Sequence, residues 1–206
     1  MVNRDLFLRS LLLEAVFVAF TALSSRQGEL VLAANAILLT YFTAAAYGLD
    51  GFAHAAEAMV GRAVGARDRP GFRAAVRASF ANAALLALLM TLAFAVLGGL
   101  GVRLMTGLVD VRAQAMIYLP YAVALPAVSV WAFLYDGMFF GATRTAELRN
   151  GMVVALALFG LLAWLLVPAY GNHGLWLAFL GFLGARAVIL AAIYRRVGGA
   201  VGFVPI

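Results

Sequence analysis

The sequence contains no cysteine and no lysine, and charges of either sign are scarce. Charged residues make up 12% of its 206 positions, against about 25% in soluble domains. Without cysteine, the chain can form neither disulfide bonds nor thiolate metal sites. Hydrophobic residues account for 66% of the positions. A chain this apolar has too few charges to cover a soluble domain, so the composition predicts a membrane protein.

Motifs of enzymes and of nucleic-acid-binding proteins are also missing. There is no G-x-x-x-x-G-K-[ST] loop for a nucleotide, and no basic patch with interleaved aromatic residues. His54 and Glu57 form an H-x-x-E pair, but His173 is expected at the opposite side, so no third zinc ligand is evident. The sequence therefore predicts no enzyme, no cofactor, no metal site and no nucleic-acid partner.

Long apolar segments occupy most of the chain. About 20 apolar residues are needed to cross a bilayer, and six such segments lie between arginine clusters and glycine or proline residues. They span approximately residues 6–25, 30–65, 72–97, 111–140, 146–167 and 174–195. The prediction is an all-α, polytopic bundle of six transmembrane helices, forming a single domain over residues 1–206 and lying in the lipid bilayer.

The arginines are distributed unequally between the two sides of this bundle. Three fall on one side (Arg26, Arg103, Arg112), and eleven fall on the other (Arg4, Arg9, Arg62, Arg67, Arg69, Arg73, Arg77, Arg144, Arg149, Arg195, Arg196). Basic residues accumulate on the cytoplasmic side of membrane proteins. The bias predicts an inner (plasma) membrane protein with both termini in the cytoplasm.

One face of the second predicted helix carries a stripe of polar and small residues. Steps of three and four residues separate its members, Tyr47, Asp50, His54, Glu57 and Gly61, so they share one face. Charged groups inside a bilayer cost about 2.5 to 3.5 kcal/mol each on insertion scales, so they turn toward protein or water. A carboxylic acid and a histidine in such a place can exchange a proton near neutral pH. Asp50, His54 and Glu57 are therefore candidates for proton or cation coupling, and Glu57 could instead be simply solvated.

Three other helices contribute ionisable groups to the same layer. Glu14 and Asp136 are further coupling candidates, and Arg186 is an ion-pair candidate that could bridge Asp136 or Glu57. Paired charges of this kind could also serve only to lock the helix ends together.

Several other polar or polarizable side chains are candidates to line a cleft. Asn35, Tyr41 and Trp131 could face a polar cavity or form interhelical hydrogen bonds, and Tyr47 belongs to the stripe. Met138 could face a drug-accommodating surface or act as a packing residue.

Four stretches together resemble a known family. They are NRDLFLRSLLLE (3–14), AYGLDGFAHAAEAMVGRAVGARD (46–68), LPAVSVWAFLYDGMFFGATRTAELRN (125–150) and GNHGLWLAF (171–179). They are similar to the C-terminal half of the multidrug and toxic compound extrusion (MATE) transporters, and most similar to the DinF-like branch.

This resemblance implies a function as well as a fold. Members of the family have twelve helices in two six-helix lobes, and they exchange sodium ions or protons for organic cations and other amphipathic compounds. The present helices would be the seventh to twelfth, with the first, second and fourth of them lining the central cleft. In the sodium-coupled branch one acid lies on the first helix of this lobe, where Glu14 could stand for it. The second acid of that branch lies on the fourth helix, at a position that corresponds to Phe133, three residues before Asp136. The resemblance therefore does not imply a complete sodium site of that type in this chain.

Two alternatives to a complete exporter follow from the same resemblance. Six helices are half of the expected twelve, so the chain could be a truncated or separately encoded half-protein that is inactive until an N-terminal lobe associates. It could also belong to a lipid or lipid-linked-sugar flippase of the same superfamily, which Arg-lined grooves for phosphate groups would distinguish.

Overall fold

The computed structural model describes residues 2–197 and 199–204 of the chain, and helices joined by short turns make up nearly all of this part. Six helices are long and apolar enough to cross a membrane. The helices are α1 (Val2–Ser25), α2 (Glu29–Gly65), α3 (Arg69–Met105), α4 (Val109–Gly141), α5 (Thr145–Tyr170), α6 (Asn172–Arg196) and the short α7 (Ala200–Phe203). The predicted all-α bundle of six membrane-length helices is confirmed.

α3 is longer than the sequence predicts, because two glycines that look like helix ends serve packing instead. Gly98 is buried against Leu119, and its carbonyl oxygen accepts a hydrogen bond from the Tyr41 hydroxyl at 2.6 Å. A side chain at Gly101 would collide with the same hydroxyl. The helix therefore passes through both glycines and ends at Met105.

An aromatic cluster forms the centre of the bundle. Phe17 and Phe20 of α1, Phe42 of α2, and Trp176 and Phe179 of α6 contact one another, with ring centroids 5.1 to 6.1 Å apart. All six of these pairs are tilted or edge-to-face, which are favourable geometries for aromatic rings. This cluster joins α1 and α2 to the buried helix α6.

The outward surface of α3 is apolar. Large side chains that include Leu88, Leu92, Val96 and Leu104 are more than half exposed. A soluble protein rarely leaves such a continuous apolar surface uncovered, whereas lipid tails would cover it. With the six membrane-length helices, this surface identifies a multi-pass membrane protein.

The turns after α2 and α4 have the same backbone design. In each, the second residue after the helix is left-handed without being glycine: Arg67 has φ 54° and Thr143 has φ 58°. The following amides turn back onto the helix, so that Asp68 N–H donates to Ala63 O at 2.9 Å and Arg144 N–H donates to Phe139 O at 2.8 Å. These bonds satisfy carbonyls that a helix end would otherwise leave unpaired.

α7 folds back onto the arginine-rich end of the bundle, which the sequence did not predict. Phe203 packs against Phe72 and Phe139, with ring centroids 5.7 and 5.0 Å away. The Arg144 guanidinium lies 4.8 Å from the centre of the Phe203 ring, and Arg69 Nε donates to Val204 O at 3.1 Å. The short helix thus connects the turns that follow α2 and α4.

Candidate functional site

α2 and α4 approach each other closely because their contact residues are small. A Cβ atom at Gly137 would collide with the carbonyl oxygen of Ala53, and one at Gly141 would collide with that of Glu57. Gly61 completes the contact opposite Gly141. Small residues permit such approach between membrane helices. The contact brings the polar stripe of α2 beside the second half of α4, which carries Asp136.

Three charged side chains form a buried cluster next to this contact. Arg186 Nη2 of α6 donates to Asp136 Oδ2 of α4 at 2.5 Å, and Arg9 Nη2 of α1 donates to the same oxygen. The side chains of Asp136 and Arg186 are only 7% and 4% exposed, and that of Arg9 is 14% exposed. The structure thus brings Arg186 and Asp136 together. It also adds Arg9, which joins α1 to α4.

Aromatic rings surround the two guanidinium groups. Arg9 lies 5.1 Å from the centre of the Phe140 ring, and Arg186 lies 5.9 and 5.6 Å from the centres of Phe133 and Phe182. The negative faces of aromatic rings attract cations. The rings therefore favour two buried positive charges around one carboxylate.

Asp50 lies at one end of an open cavity between α1 and α2. The cavity has a volume of about 350 Å³ and is lined by Phe17, Leu39, Phe42, Thr43, Ala46, Tyr47 and Asp50. Asp50 is half-buried, and it forms no hydrogen bond or ion pair with any residue that the structure describes. Its carboxylate is nevertheless within electrostatic range of His54 and of the Arg9, Asp136 and Arg186 cluster. An ionisable group of this kind in a membrane-length helix is a candidate functional group.

His54 and Glu57 continue the stripe toward the arginine-rich end, on the exposed side of α2. His54 Nδ1 is 3.5 Å from Glu57 Oε2, and the two side chains are 78% and 44% exposed. The residues of the predicted stripe therefore differ in exposure, with Asp50 and Glu57 half-buried and His54 exposed.

Glu14 lies on the exposed face of α1 beside a second cavity. This cavity has a volume of about 400 Å³ and shares Phe17 with the cavity of Asp50. Glu14 has no ion-pair partner among the described residues. Phe17 thus lines two cavities, and each of them also has one carboxylate that lacks an ion-pair partner among the described residues.

Two of the expected cleft-lining residues are buried and form hydrogen bonds to other helices. Asn35 is 1% exposed and exchanges hydrogen bonds with Asn172 at 2.7 and 2.9 Å. It also donates to Ser24 Oγ at 2.8 Å and accepts from Trp176 Nε1 at 2.9 Å. Tyr41 is 6% exposed and bonds to α3 as described above. Both therefore form interhelical hydrogen bonds, and Tyr41 also lines an open cavity between α2 and α3.

The other cleft-lining candidates differ in exposure. Met138 is fully buried among the residues beneath α7, which is a packing position. Tyr47 is 76% exposed and Trp131 is 40% exposed. Tyr47 lines the cavity of Asp50, whereas Trp131 lies 6.0 Å from Phe80 of α3, between ring centroids.

Arg9 is the site residue that sequence reasoning missed. It was counted only among the arginines that set the orientation, because a basic residue near the start of a first helix is normally an anchor. One sequence signal was available: Arg9, Leu13 and Phe17 are spaced by four residues and share one face of α1. Arg9 therefore belongs to the face that carries Phe17.

Comparison with known proteins gives the family. The MatE family model matches residues 6–169. Over 194 residues the chain is 47% identical to DNA damage-inducible protein F of Escherichia coli (strain K12), covering 94% of the chain and 42% of that protein. It is 28% identical over 186 residues to Protein DETOXIFICATION 42 of Arabidopsis thaliana, covering 87% of the chain and 36% of that protein.

Solved structures show the same fold. A MOP superfamily transporter from Pyrococcus furiosus superposes with a TM-score of 0.87 at 18% identity, covering 100% of the chain and 45% of that structure. An outward-facing multidrug resistance MATE transporter gives 0.86 at 17% identity, with 100% and 46% covered. The chain spans less than half the length of each of these relatives. From the extent of the family match and the similarity to DNA damage-inducible protein F, the chain belongs to the MatE family.

Proposed function

We propose that the chain forms one six-helix lobe of a secondary active exporter. The exporter would move amphipathic or cationic small molecules out of the cell in exchange for protons or sodium ions. Family membership supports this proposal, as does the structural likeness to a transporter described as a multidrug resistance protein.

The position of Asp50 is the single observation that carries the proposal. A carboxylate in a membrane-length helix, without a bonding partner among the described residues and next to an apolar cavity with aromatic walls, suits both parts of such an exchange. The carboxylate can bind a proton or a sodium ion, and the rings of Phe17, Phe42 and Tyr47 can contact an amphipathic cation.

Coupling requires that the ion bind one conformation more tightly than another. Protonation or sodium binding at Asp50 would remove a negative charge from the α1–α2 cavity, and Glu14 and Glu57 offer further carboxylates on the same two helices. Neutralisation would then favour one of the inward-open and outward-open states by the difference in binding free energy between them.

The arginine distribution suggests the orientation. Eleven of the fifteen basic residues belong to the end formed by the start of α1, the α2–α3 and α4–α5 turns and the end of α6. We place this end in the cytoplasm and the protein in the inner (plasma) membrane.

A second six-helix lobe would complete the cleft. The cavities of Asp50 and Glu14 are open, and the relatives are more than twice as long as the aligned region. An immunoblot of the tagged natural gene product separates the possibilities. A band near 21.8 kDa would mean that the second lobe is a separate chain, and a band near twice that mass would mean that both lobes are in one polypeptide.

A flippase for lipid or lipid-linked sugar is less well supported. Its phosphate groups would need free arginines along the transport cleft. Arg186 is buried and bound to Asp136, and Arg73 and Arg77 line an open cavity on α3 alone rather than the one between α1 and α2.

Efflux of a fluorescent organic cation tests the proposal. The full-length natural gene product is produced in cells that lack exporters of this class, and we expect faster dye loss than with the empty vector. Asp50→Asn should reduce efflux to the vector level, whereas Glu29→Gln, at the first residue of the same helix, should leave it unchanged. Inside-out vesicles given either a pH gradient or a sodium gradient identify the coupling ion.

Either of two results would overturn a part of the proposal. Dye loss that never exceeds the vector level would exclude export of this class of compound. Normal efflux by Asp50→Asn would exclude Asp50 from coupling.

A further inference from the structure

The buried cluster of Arg9, Asp136 and Arg186 is not electrically balanced. It contains two guanidinium groups, which are charged at any physiological pH, and a single carboxylate. An uncompensated charge is costly inside a membrane bundle, so such groups are normally neutralised by a partner. A second negative charge is therefore expected close to the cluster.

Asp50 is the best-placed acid to supply this charge. Ala53 of α2 touches Gly137 of α4, and Asp50 is about one helical turn before Ala53, while Asp136 directly precedes Gly137. The backbone contact therefore holds the two aspartates near one another. The ionisable groups within electrostatic range of Asp50 are His54 on its own helix, Asp136 on α4, whose negative charge repels it, and Arg9 on α1 and Arg186 on α6, whose positive charges attract it.

Glu57 and Glu14, the other two acids considered, are less well placed to neutralise the cluster. Glu57 is 3.5 Å from His54 on the accessible side of α2. Glu14 is exposed and lines a different cavity, whose lining does not include Asp50. Asp50 differs from both in combining three properties: it is half-buried, it lies beside the α2–α4 contact, and it has no bonding partner among the described residues.

Arg9 is the member of the cluster that can reach outward. Its Nη2 is bound to Asp136, but its Nε is buried and has no hydrogen-bond acceptor among the described residues. A guanidinium group has five N–H donors in a fixed fork, so one arginine can serve two carboxylates. Arg9 also shares a helix face with Phe17, which lines the cavity of Asp50.

We propose that Arg9 is a positioning residue that serves two carboxylates, being bound to Asp136 while its positive charge neutralises Asp50 across the gap between α1 and α2. The inference deepens the proposed function, on which its role in transport rests. With Asp50 ionised, the four groups have no net charge and α1 is held beside α2. When Asp50 takes up a proton, one positive charge remains uncompensated and this attraction between the two helices is lost.

A double-mutant cycle in the purified full-length protein tests the electrostatic link without any transport measurement. The apparent melting temperatures of Arg9→Gln, Asp50→Asn and the double variant are compared with that of the natural protein in detergent. Each single change should lower the melting temperature. The double variant should melt about 2 °C or more above the additive value, because it restores the charge balance. A cycle of Arg9→Gln with Glu29→Gln should be additive.

A second measurement separates this role from simple packing. Carbodiimides modify protonated carboxyl groups, and a nearby cation keeps a carboxyl group ionised. At one fixed pH, mass spectrometry should find more modified Asp50 in Arg9→Gln than in the natural protein. Arg9→Lys retains the positive charge and should return the modified fraction to the natural level.

Additive melting temperatures in the Arg9 and Asp50 cycle would overturn the proposal, and so would equal modification of Asp50 in all three proteins. Neither result depends on whether the protein exports dyes. The cycle and the efflux assay can therefore fail independently.

Discussion

The two ends of the bundle are fastened by different chemistry. At one end, Asn35 links α1, α2 and α6 through neutral hydrogen bonds to Ser24, Asn172 and Trp176. Toward the arginine-rich end, Asp136 links α1, α4 and α6 through two guanidinium groups. The neutral network keeps its bonds at any moderate pH. The charged cluster depends on the balance of charges around it, so it can respond to a bound proton or cation.

Removal of the shared carboxylate should have the largest effect. Asp136→Asn leaves two buried arginines without an anion, and we expect a loss of about 3–5 kcal/mol in the free energy of unfolding. Thermal unfolding of the purified protein measures the loss. Asp110→Asn, the same change at the exposed start of α4, is the control. A difference below 1 kcal/mol between the two variants would show that the cluster does not stabilise the packing of α1, α4 and α6.

Loss of the neutral hydrogen-bond network around Asn35 should lower the free energy of unfolding by a smaller amount, and this amount should be the same at every pH. Asn35→Ala removes the partner of three buried polar groups, for which we expect a loss of about 2 kcal/mol. The loss should be equal at pH 5.5 and pH 8, unlike that of a charged variant. Asn82→Ala removes an exposed amide that bonds only within its own helix, and it should change stability by less than about 0.5 kcal/mol. A strong pH dependence for Asn35→Ala would contradict the contrast between the two ends.

The contact of α2 with α4 can be tested by adding one methyl group. In Gly137→Ala the new Cβ meets the Ala53 carbonyl oxygen, so the helices must separate at a cost of about 1–3 kcal/mol. Gly160→Ala on α5 adds the same group where no neighbouring atom lies within 4 Å. There, helix propensity should stabilise the protein by up to about 1 kcal/mol. We therefore expect Gly137→Ala to be destabilising and Gly160→Ala to be stabilising. A loss of stability in both variants would mean that the close approach at Gly137 is not the cause.

The smallest effect on stability is expected at the exposed pair. His54→Gln and Glu57→Gln break an accessible interaction that contributes less than about 0.5 kcal/mol. The melting temperatures of both variants should therefore stay within about 1 °C of the natural value. A drop of several degrees would mean that this pair stabilises the bundle together with the Arg9, Asp136 and Arg186 cluster.

Helix number and the polar stripe could be predicted from the sequence, because apolar length and a spacing of three and four residues are local properties. The end of α3 could not, since Gly98 and Gly101 look like helix breakers until Leu119 and Tyr41 pack on them. α7 was missed because four residues show no periodicity.

The partners of the charged residues were only partly predictable. The pairing of Asp136 with Arg186 was one of two pairings that the sequence allowed, and helical spacing within one element could not choose between them. The place of Arg9 was not predicted at all, because it depends on how α1 sits against α4. For the same reason Asn35 and Tyr41 could not be assigned to a cleft or to a helix contact from their polarity alone.

The turns after α2 and α4 have a practical consequence for work on the purified protein. Arg67 and Thr143 adopt a left-handed backbone, which costs a residue with a side chain about 1–2 kcal/mol. Glycine adopts that conformation freely, at the expense of a more flexible unfolded chain. Thr143 has a side chain that is branched at Cβ, so its replacement by glycine offers a direct route to a more heat-resistant protein. This change leaves every charged group in the helices in place.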